Sequence, residues 1–160
     1  MTLAGPWNVA FQPNRGAPAG ITMDTLRSWS ENPDSGVRYF SGTAVYTKSF
    51  TLPPDAKKVG AHLALDLGDL REVAEVSLNG QPLGILWNPP FVLDITGAVR
   101  PGENRLRVKV ANLWVNRLIG DAQPDVTTKY TFTTIPTYEA NASLRTSGLL
   151  GQVQILQTSP

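Results

Sequence analysis

Apolar and polar residues alternate with a period of two over most of the chain, the mark of strands that bury one face. Trp7, Val9 and Phe11 alternate with Asn8 and Ala10, and Val59, Ala61, Leu63, Leu65 and Leu67 with Gly60, His62, Ala64 and Asp66. Ala74, Val76 and Leu78 alternate with Val73, Glu75 and Ser77, and Leu106, Val108 and Val110 with Arg105, Arg107 and Lys109. Val153 and Ile155 form a short last strand, Phe91–Ile95 reads as another, and Leu83–Trp87 as a brief one. Phe40–Phe50 is rich in β-branched and aromatic residues, but Lys48 falls on the face of Tyr46 and Phe50. That break in phase predicts a bulge or an edge position.

Turn residues separate these runs. Asn79-Gly80 between two alternating segments is a strong hairpin signal, because a type I′ turn needs positive φ at both central residues. Pro53-Pro54-Asp55 and Pro101-Gly102-Glu103-Asn104 are polar turns, and Gly148 and Gly151 bracket Leu149-Leu150 before the last strand. Helical periodicity is nearly absent; only Asp24–Trp29 and Leu113–Ile119 can hold a turn or two. Many short strands joined by turns predict an all-β sandwich or barrel rather than βαβ units. The stretches Gln12–Gly20 and Gln123–Arg145 read as irregular loops, and loops that long are often functional.

Composition narrows the function classes. A chain of 160 residues is long enough to bury one sizeable core, and its low charge content, 17%, argues against disorder. The 14 basic and 13 acidic residues give no basic field for nucleic acid or a membrane surface, and no apolar run is long enough to span a bilayer. Without cysteine there is no disulfide framework, thiol nucleophile or cysteine-based zinc site. The opening Met1-Thr2-Leu3-Ala4-Gly5-Pro6-Trp7 does not read as a signal peptide, and fits one domain, 1–160, excised from a longer protein.

Candidate chemistry is concentrated in loops. His62 is the single histidine and lies on the polar side of a strand, which excludes clusters of several histidines around a metal. Asp69, Glu72 and Asp121 are the carboxylates to consider for glycoside hydrolysis, with Arg71 and Arg117 near enough in sequence to neutralise them instead. Asn112–Asp121 interleaves amides, an arginine, a carboxylate and Trp114 with apolar anchors, and Trp87-Asn88-Pro89-Pro90 follows the hairpin. A flat ring face beside planar donor and acceptor forks is what a sugar ring with paired hydroxyls requires. The four tryptophans divide on the same grounds: Trp7 and Trp29 read as core, whereas Trp87 and Trp114 stand beside amides as either packing or platform. Arg105, Arg107 and Lys109 read as a solvated strand face.

The ordered series Gly5-Pro6-Trp7, Tyr39–Tyr46, Asp66–Val76, Leu78-Asn79-Gly80, Trp87–Phe91, Asp94-Ile95-Thr96, Pro101–Asn104, Asn112–Asp121 and Ser147–Gly151 covers nearly the whole chain. In that order the motifs resemble the galactose-binding-like jelly-roll domain of glycoside hydrolases. The sugar-binding domain of family 2 enzymes and the C-terminal sandwich of family 106 α-L-rhamnosidase-like proteins are the nearest likenesses. The resemblance implies a β-sandwich jelly roll used as a non-catalytic, monomeric module beside a catalytic domain, in an extracellular or periplasmic setting. It also implies loop positions for a sugar at Arg71, Glu72, Trp87, Asn88, Asn112, Trp114, Asn116 and Arg117. A structural calcium ion, common among such domains, is implied without assignable ligands; no other cofactor is expected.

Two readings follow, with a small enzyme built on Asp69, Glu72 or Asp121 as a third. In the first, the domain is a carbohydrate-binding module for a plant- or algal-type polysaccharide, with Trp87 or Trp114 covering a ring face and Arg71 or Arg117 forking a uronate carboxylate. In the second, it is an accessory domain that packs against a catalytic domain and has no sugar site of its own.

Overall fold

The computed structural model describes residues 1–53 and 62–158, so Val59, Ala61 and the Pro53-Pro54-Asp55 turn of the sequence reading fall wholly or partly outside the described residues. In chain order the elements are β1 (Trp7–Phe11), β2 (Gly20–Met23), a 3₁₀ turn (Trp29–Glu31), α1 (Ser35–Arg38), β3 (Thr43–Leu52), β4 (His62–Asp66), β5 (Leu70–Arg71) and β6 (Val73–Leu78). They continue with β7 (Gln81–Leu86), β8 (Val92–Asp94), β9 (Gly102–Ala111), α2 (Val115–Asp121), β10 (Gly148–Leu149) and β11 (Gln154–Thr158). Six strands form one antiparallel sheet in the order β2-β1-β3-β9-β6-β7; β11-β4-β8 form a second, and β10-β5 a short third. This is the all-β galactose-binding-like sandwich anticipated from the alternation and the motif series.

The alternation maps directly onto burial. Along β9 Asn104, Leu106, Val108 and Val110 are buried, while Arg105 and Arg107 face water and Lys109 pairs with Glu75 at 3.0 Å on the outer face. Leu63 and Leu65 of β4 and Ile155 of β11 close the core from the opposite sheet. At the turn between β6 and β7, Asn79 and Gly80 take φ of 55° and 83°, the two positive values the Asn-Gly pair predicts. The Asn79 amide also reaches Ala98 and Asn104, which ties the hairpin to the turn ahead of β9.

The Phe40–Phe50 region corrects the sequence expectation. β3 is an interior strand paired with β1 on one side and β9 on the other, and its ladder with β9 runs without a shift from Thr43↔Ala111 to Leu52↔Gly102. Lys48 keeps the inward phase because it lies near the rim. Its ammonium bonds the Pro6 carbonyl at 3.0 Å and stands 5.9 Å from the Trp7 ring centroid, so the stem is covered and the charge escapes. The register shift lies instead between β6 and β7, where Val76 faces Gly84 and Ser77 faces Pro82. The first of the two candidate helical stretches, Asp24–Trp29, forms no helix and only meets the 3₁₀ turn at Trp29; the second becomes α2, and α1 lies outside both.

One end of the core is aromatic. Trp29 meets Phe40 edge-on at 5.4 Å and Phe11 at 5.8 Å, and stacks on Tyr46 at 6.2 Å. Burial raises the Tyr46 pKa above the ordinary phenol value; the hydroxyl accepts the Leu149 N–H at 3.1 Å. Gly148, with φ of 100°, is required there, since a Cβ would lie 2.7 Å from the Tyr46 hydroxyl and 2.8 Å from the Trp29 indole. Truncating Trp29 to Ala leaves a cavity among the three rings of Phe11, Phe40 and Tyr46. A loss of about 3–5 kcal/mol is expected, read as a shift in the urea midpoint at unchanged slope.

Candidate functional site

The loops and short elements at one end of the six-stranded sheet, β5 and α2 among them, carry every residue anticipated for a sugar. The register explains why: Val73 of β6 and Thr43 of β3 both face Ala111, the last residue of β9, and the Glu72 N–H donates to the Ala111 carbonyl at 3.0 Å. β7 ends beside them, with Leu86 opposite Ala74 and Trp87 the next residue out. Arg71, Glu72, Trp87 and Asn88 thus gather around the starts of β6 and the end of β7, while Asn112, Trp114, Asn116 and Arg117 gather around α2.

The second group is drawn into the protein. The Asn112 side chain accepts the Gly42 N–H and donates to the Phe40 carbonyl, both at 2.9 Å, stitching the end of β9 to the approach to β3. The Asn116 side chain donates to the Arg145 carbonyl at 2.8 Å and accepts the Arg145 N–H at 2.7 Å, as a strand neighbour would. Both amides were read as forks for hydroxyls; their polar atoms instead hold chain to chain. Arg117 is buried, and its Nε lies 2.9 Å from Asp121 Oδ1, one helical turn away, as an ion pair without hydrogen-bond alignment. Asp121 Oδ2 accepts the N–H groups of Tyr130 and Thr131 at 2.9 and 2.7 Å and the Thr131 hydroxyl at 2.6 Å. The carboxylate is therefore consumed in fastening the loop that follows α2.

The first group is more open. Trp87 is 72% exposed and Asn88 and Glu72 reach water, whereas Arg71 is occupied by Asp69 and the Leu70 carbonyl. Trp114 is half exposed, with the Arg15 guanidinium 4.7 Å from its ring centroid. Both indoles are open to water, but the forks beside Trp114 are not. Among the described residues no three His, Cys, Asp or Glu side chains converge, so an acidic cage for calcium is not gathered there.

Sequence reasoning missed the apolar side chains of the segment after α2. Phe132 and Ile135 are 88% and 74% exposed, and Trp114, Leu118, Tyr130 and Phe132 together line a shallow depression of about 350 Å³. It also missed a polar cleft of about 510 Å³ between α1, α2 and the same segment. The signal was available in the length of the irregular stretch and in its Thr-Thr-Lys-Tyr-Thr-Phe composition, which no strand or helix absorbs.

Residues 26–148 match the family described as glycosyl hydrolase 2 galactose-binding domain-like. The chain belongs to that family. A putative β-glucuronidase of Formosa agariphila is 50% identical over 119 residues, which are 74% of this chain and 10% of that protein. The solved structure of a rhamnosidase from Novosphingobium sp. PP1Y superposes with a TM-score of 0.93 at 47% identity, over 99% of this chain and 15% of the other. A β-glucuronidase of an uncultured Clostridium sp. follows at a TM-score of 0.61 and 26% identity, over 71% of this chain and 22% of the other. The galactose-binding-like domain therefore spans only a small part of each of these glycoside hydrolases. No helix among the described residues is long and apolar enough to cross a membrane.

The two arginine–aspartate pairs should respond differently to mutation. Asp121→Ala leaves a buried guanidinium unpaired and releases the following loop, and is expected to cost about 3–5 kcal/mol. Arg71→Ala removes a half-exposed pair and should cost no more than about 1 kcal/mol. Urea denaturation of both variants checks the contrast.

Proposed function

We infer that the chain is a non-catalytic accessory domain of a glycoside hydrolase, held against the rest of its enzyme by the face formed by Leu113, Trp114, Phe132 and Ile135. The observation that carries this reading is the exposure of Phe132 and Ile135 on a segment whose base is firmly tied. Trp114 lines one depression with Phe132, and Leu113, next to it in sequence, is also half exposed. Apolar patches of this kind mark protein interfaces, and aromatic side chains are enriched at their centres. A sugar platform would want a flat ring beside open donors and acceptors; here aliphatic and aromatic groups alternate with threonines while Asn116 and Arg117 turn inward. The intended occupant is the remainder of the parent enzyme, because the glycoside hydrolases that share this domain are several times longer than the chain. The parent acts on an extracellular or periplasmic glycan.

Co-expression of the chain with the remainder of its parent enzyme as a separate polypeptide tests the docking face. A stable complex is expected, and the double substitution Phe132→Asp, Ile135→Asp should abolish it while leaving the melting temperature of the chain nearly unchanged. Retention of the complex by that variant would remove this face from the interface.

A second reading, a carbohydrate-binding module, is favoured by Trp87, whose ring stands 72% exposed beside Asn88 and Glu72. On that reading Trp87→Ala loses retention on an insoluble polysaccharide without loss of stability, as affinity electrophoresis and a thermal melt would record together.

A further inference from the structure

Asn79 is the only asparagine in the sequence that a glycine follows. In such a pair the backbone nitrogen of the second residue can attack the side-chain carbonyl carbon of the first, because glycine has no side chain to obstruct the approach. Gly80 is exposed at the tip of the β6–β7 hairpin, and a Cβ built on it would meet no atom within 4 Å, so water and base reach its N–H. The carboxamide it would attack is committed elsewhere. Asn79 Nδ2 donates to the Ala98 carbonyl at 2.9 Å and to Asn104 Oδ1 at 2.8 Å, and Asn79 Oδ1 accepts the Arg105 N–H at 2.9 Å. The Asn79 N–H bonds the Arg105 carbonyl, also at 2.9 Å. Both amide donors are therefore spent on the turn ahead of β9.

Asn104 cannot turn to suit a different partner. It is buried at 0% exposure; its Oδ1 also accepts the Arg100 N–H at 2.9 Å, and its Nδ2 donates to the carbonyls of Arg100 and Gly102 at 2.7 and 2.9 Å. Flipping that amide would break both donations and turn its nitrogen toward the Arg100 N–H. An aspartate at position 79 has no donor, so its carboxylate would stand against the Ala98 carbonyl and Asn104 Oδ1 with no proton between them. Acceptors forced together away from water are costly, and the tip opens to separate them. An isoaspartate adds a methylene to the main chain of the turn, which disturbs the register that sets Leu78 opposite Gln81.

We propose that Asn79-Gly80 is a latent deamidation site and a one-way switch of the hairpin tip, closed to reaction while Asn79 is bound to Asn104 and thrown once the tip has opened. In the reaction the Gly80 nitrogen gives its proton to solvent base and bonds to Asn79 Cγ. The Cγ–Nδ2 bond breaks, and ammonia leaves with a proton taken from water. Water then opens the cyclic imide, at Cγ to give aspartate or at the Asn79 main-chain carbonyl carbon to give isoaspartate. Water is the only co-reactant, and nothing is oxidised or reduced. The folded chain reacts at the rate of the open tip multiplied by the fraction of time the tip is open. Either product gains a negative charge and lacks the donors that close the tip, so the change does not reverse. The tip lies at the end of the sheet away from Trp87 and α2, since Leu78 faces Leu106 while Val73 faces Ala111; the switch stands whether or not the Phe132 face docks.

The test incubates the full chain in mildly alkaline buffer, folded and in urea, and follows deamidation at each asparagine by peptide mass mapping. Asn79 should react about a hundredfold or more slowly in the folded chain than in urea, as three lost hydrogen bonds imply. Asn141, exposed and followed by alanine, should react at similar rates in both. Amide hydrogen exchange at Arg105 should show protection of the same order as Asn79, since one opening frees both. Asn104→Ala should raise the folded-state rate at Asn79 about tenfold or more, while Arg105→Ala, which keeps the backbone N–H, should leave it unchanged. If Asn104→Ala does not fold, the Arg105 protection of the parent chain decides the same point. The deamidated chain, separated by its added charge, should exchange the Arg105 amide faster and keep Val108 of the same strand protected. Equal rates in the folded and unfolded chains, an unchanged rate in a folded Asn104→Ala variant, Arg105 protection unlike that of Asn79, or undiminished Arg105 protection after deamidation would each overturn the proposal.

Discussion

A carboxylate and a guanidinium one turn apart on a seven-residue helix, both buried, constrain the whole loop end of this sandwich. Neither charge can be left alone in such surroundings, so each element that approaches must respect the pair. Asp121 divides its oxygens between Arg117 and the backbone of Tyr130 and Thr131, which makes the helix the anchor of the long segment that follows. Arg117 in turn sets the distance at which Tyr39, Tyr130, Gly16 and Gly120 can pack, and at the two glycines no Cβ fits. Asn116 contributes the second anchor by clasping Arg145 from the same helix. A segment of more than twenty residues without strand or helix thereby acquires a fixed course at low cost in regular structure.

The rigidity of that end comes from the sheet beneath it. The ten-pair ladder of β3 with β9 delivers Asn112 opposite Gly42, and the Asn112 amide closes the gap between the two chains. Below it the rings of Phe11, Trp29, Phe40 and Tyr46 fill the space between the sheets, and Gly148 admits the last return of the chain against them. Packing at the base and paired polar groups at the rim are therefore successive layers of one construction.

Much of this was legible in the sequence, for reasons that are local. Strand β9 and the Asn79-Gly80 turn follow from alternation and from positive φ, which neighbours alone determine. The two-residue strands β5 and β10 follow from a tertiary pairing of Leu70 with Leu149, and no run so short has a period to read. Lys48 misled for a similar reason, since its place near the Trp7 end of an interior strand is a fact of three dimensions. The site divides along the same line. The nearness of Arg117 to Asp121 in sequence already offered the ion pair as the alternative to catalysis. An asparagine that bridges two backbones and one that awaits a hydroxyl carry the same side chain, and Asn112 and Asn116 could be told apart from binding residues only by their partners.

Division of labour follows from that distinction. Polar groups with two protein partners each cannot give them up to a ligand without losing the fold, so recognition must fall to groups whose hydrogen-bonding capacity the fold leaves unspent. At this end those are the exposed side chains of Asn88, Asp125 and Thr127 and the face of Trp87, while Phe132 and Ile135 can offer only apolar area. The buried pair in α2 fixes the course of the segment that carries Phe132 and Ile135, so their apolar area stands at a set place on the sandwich rather than on a loose loop.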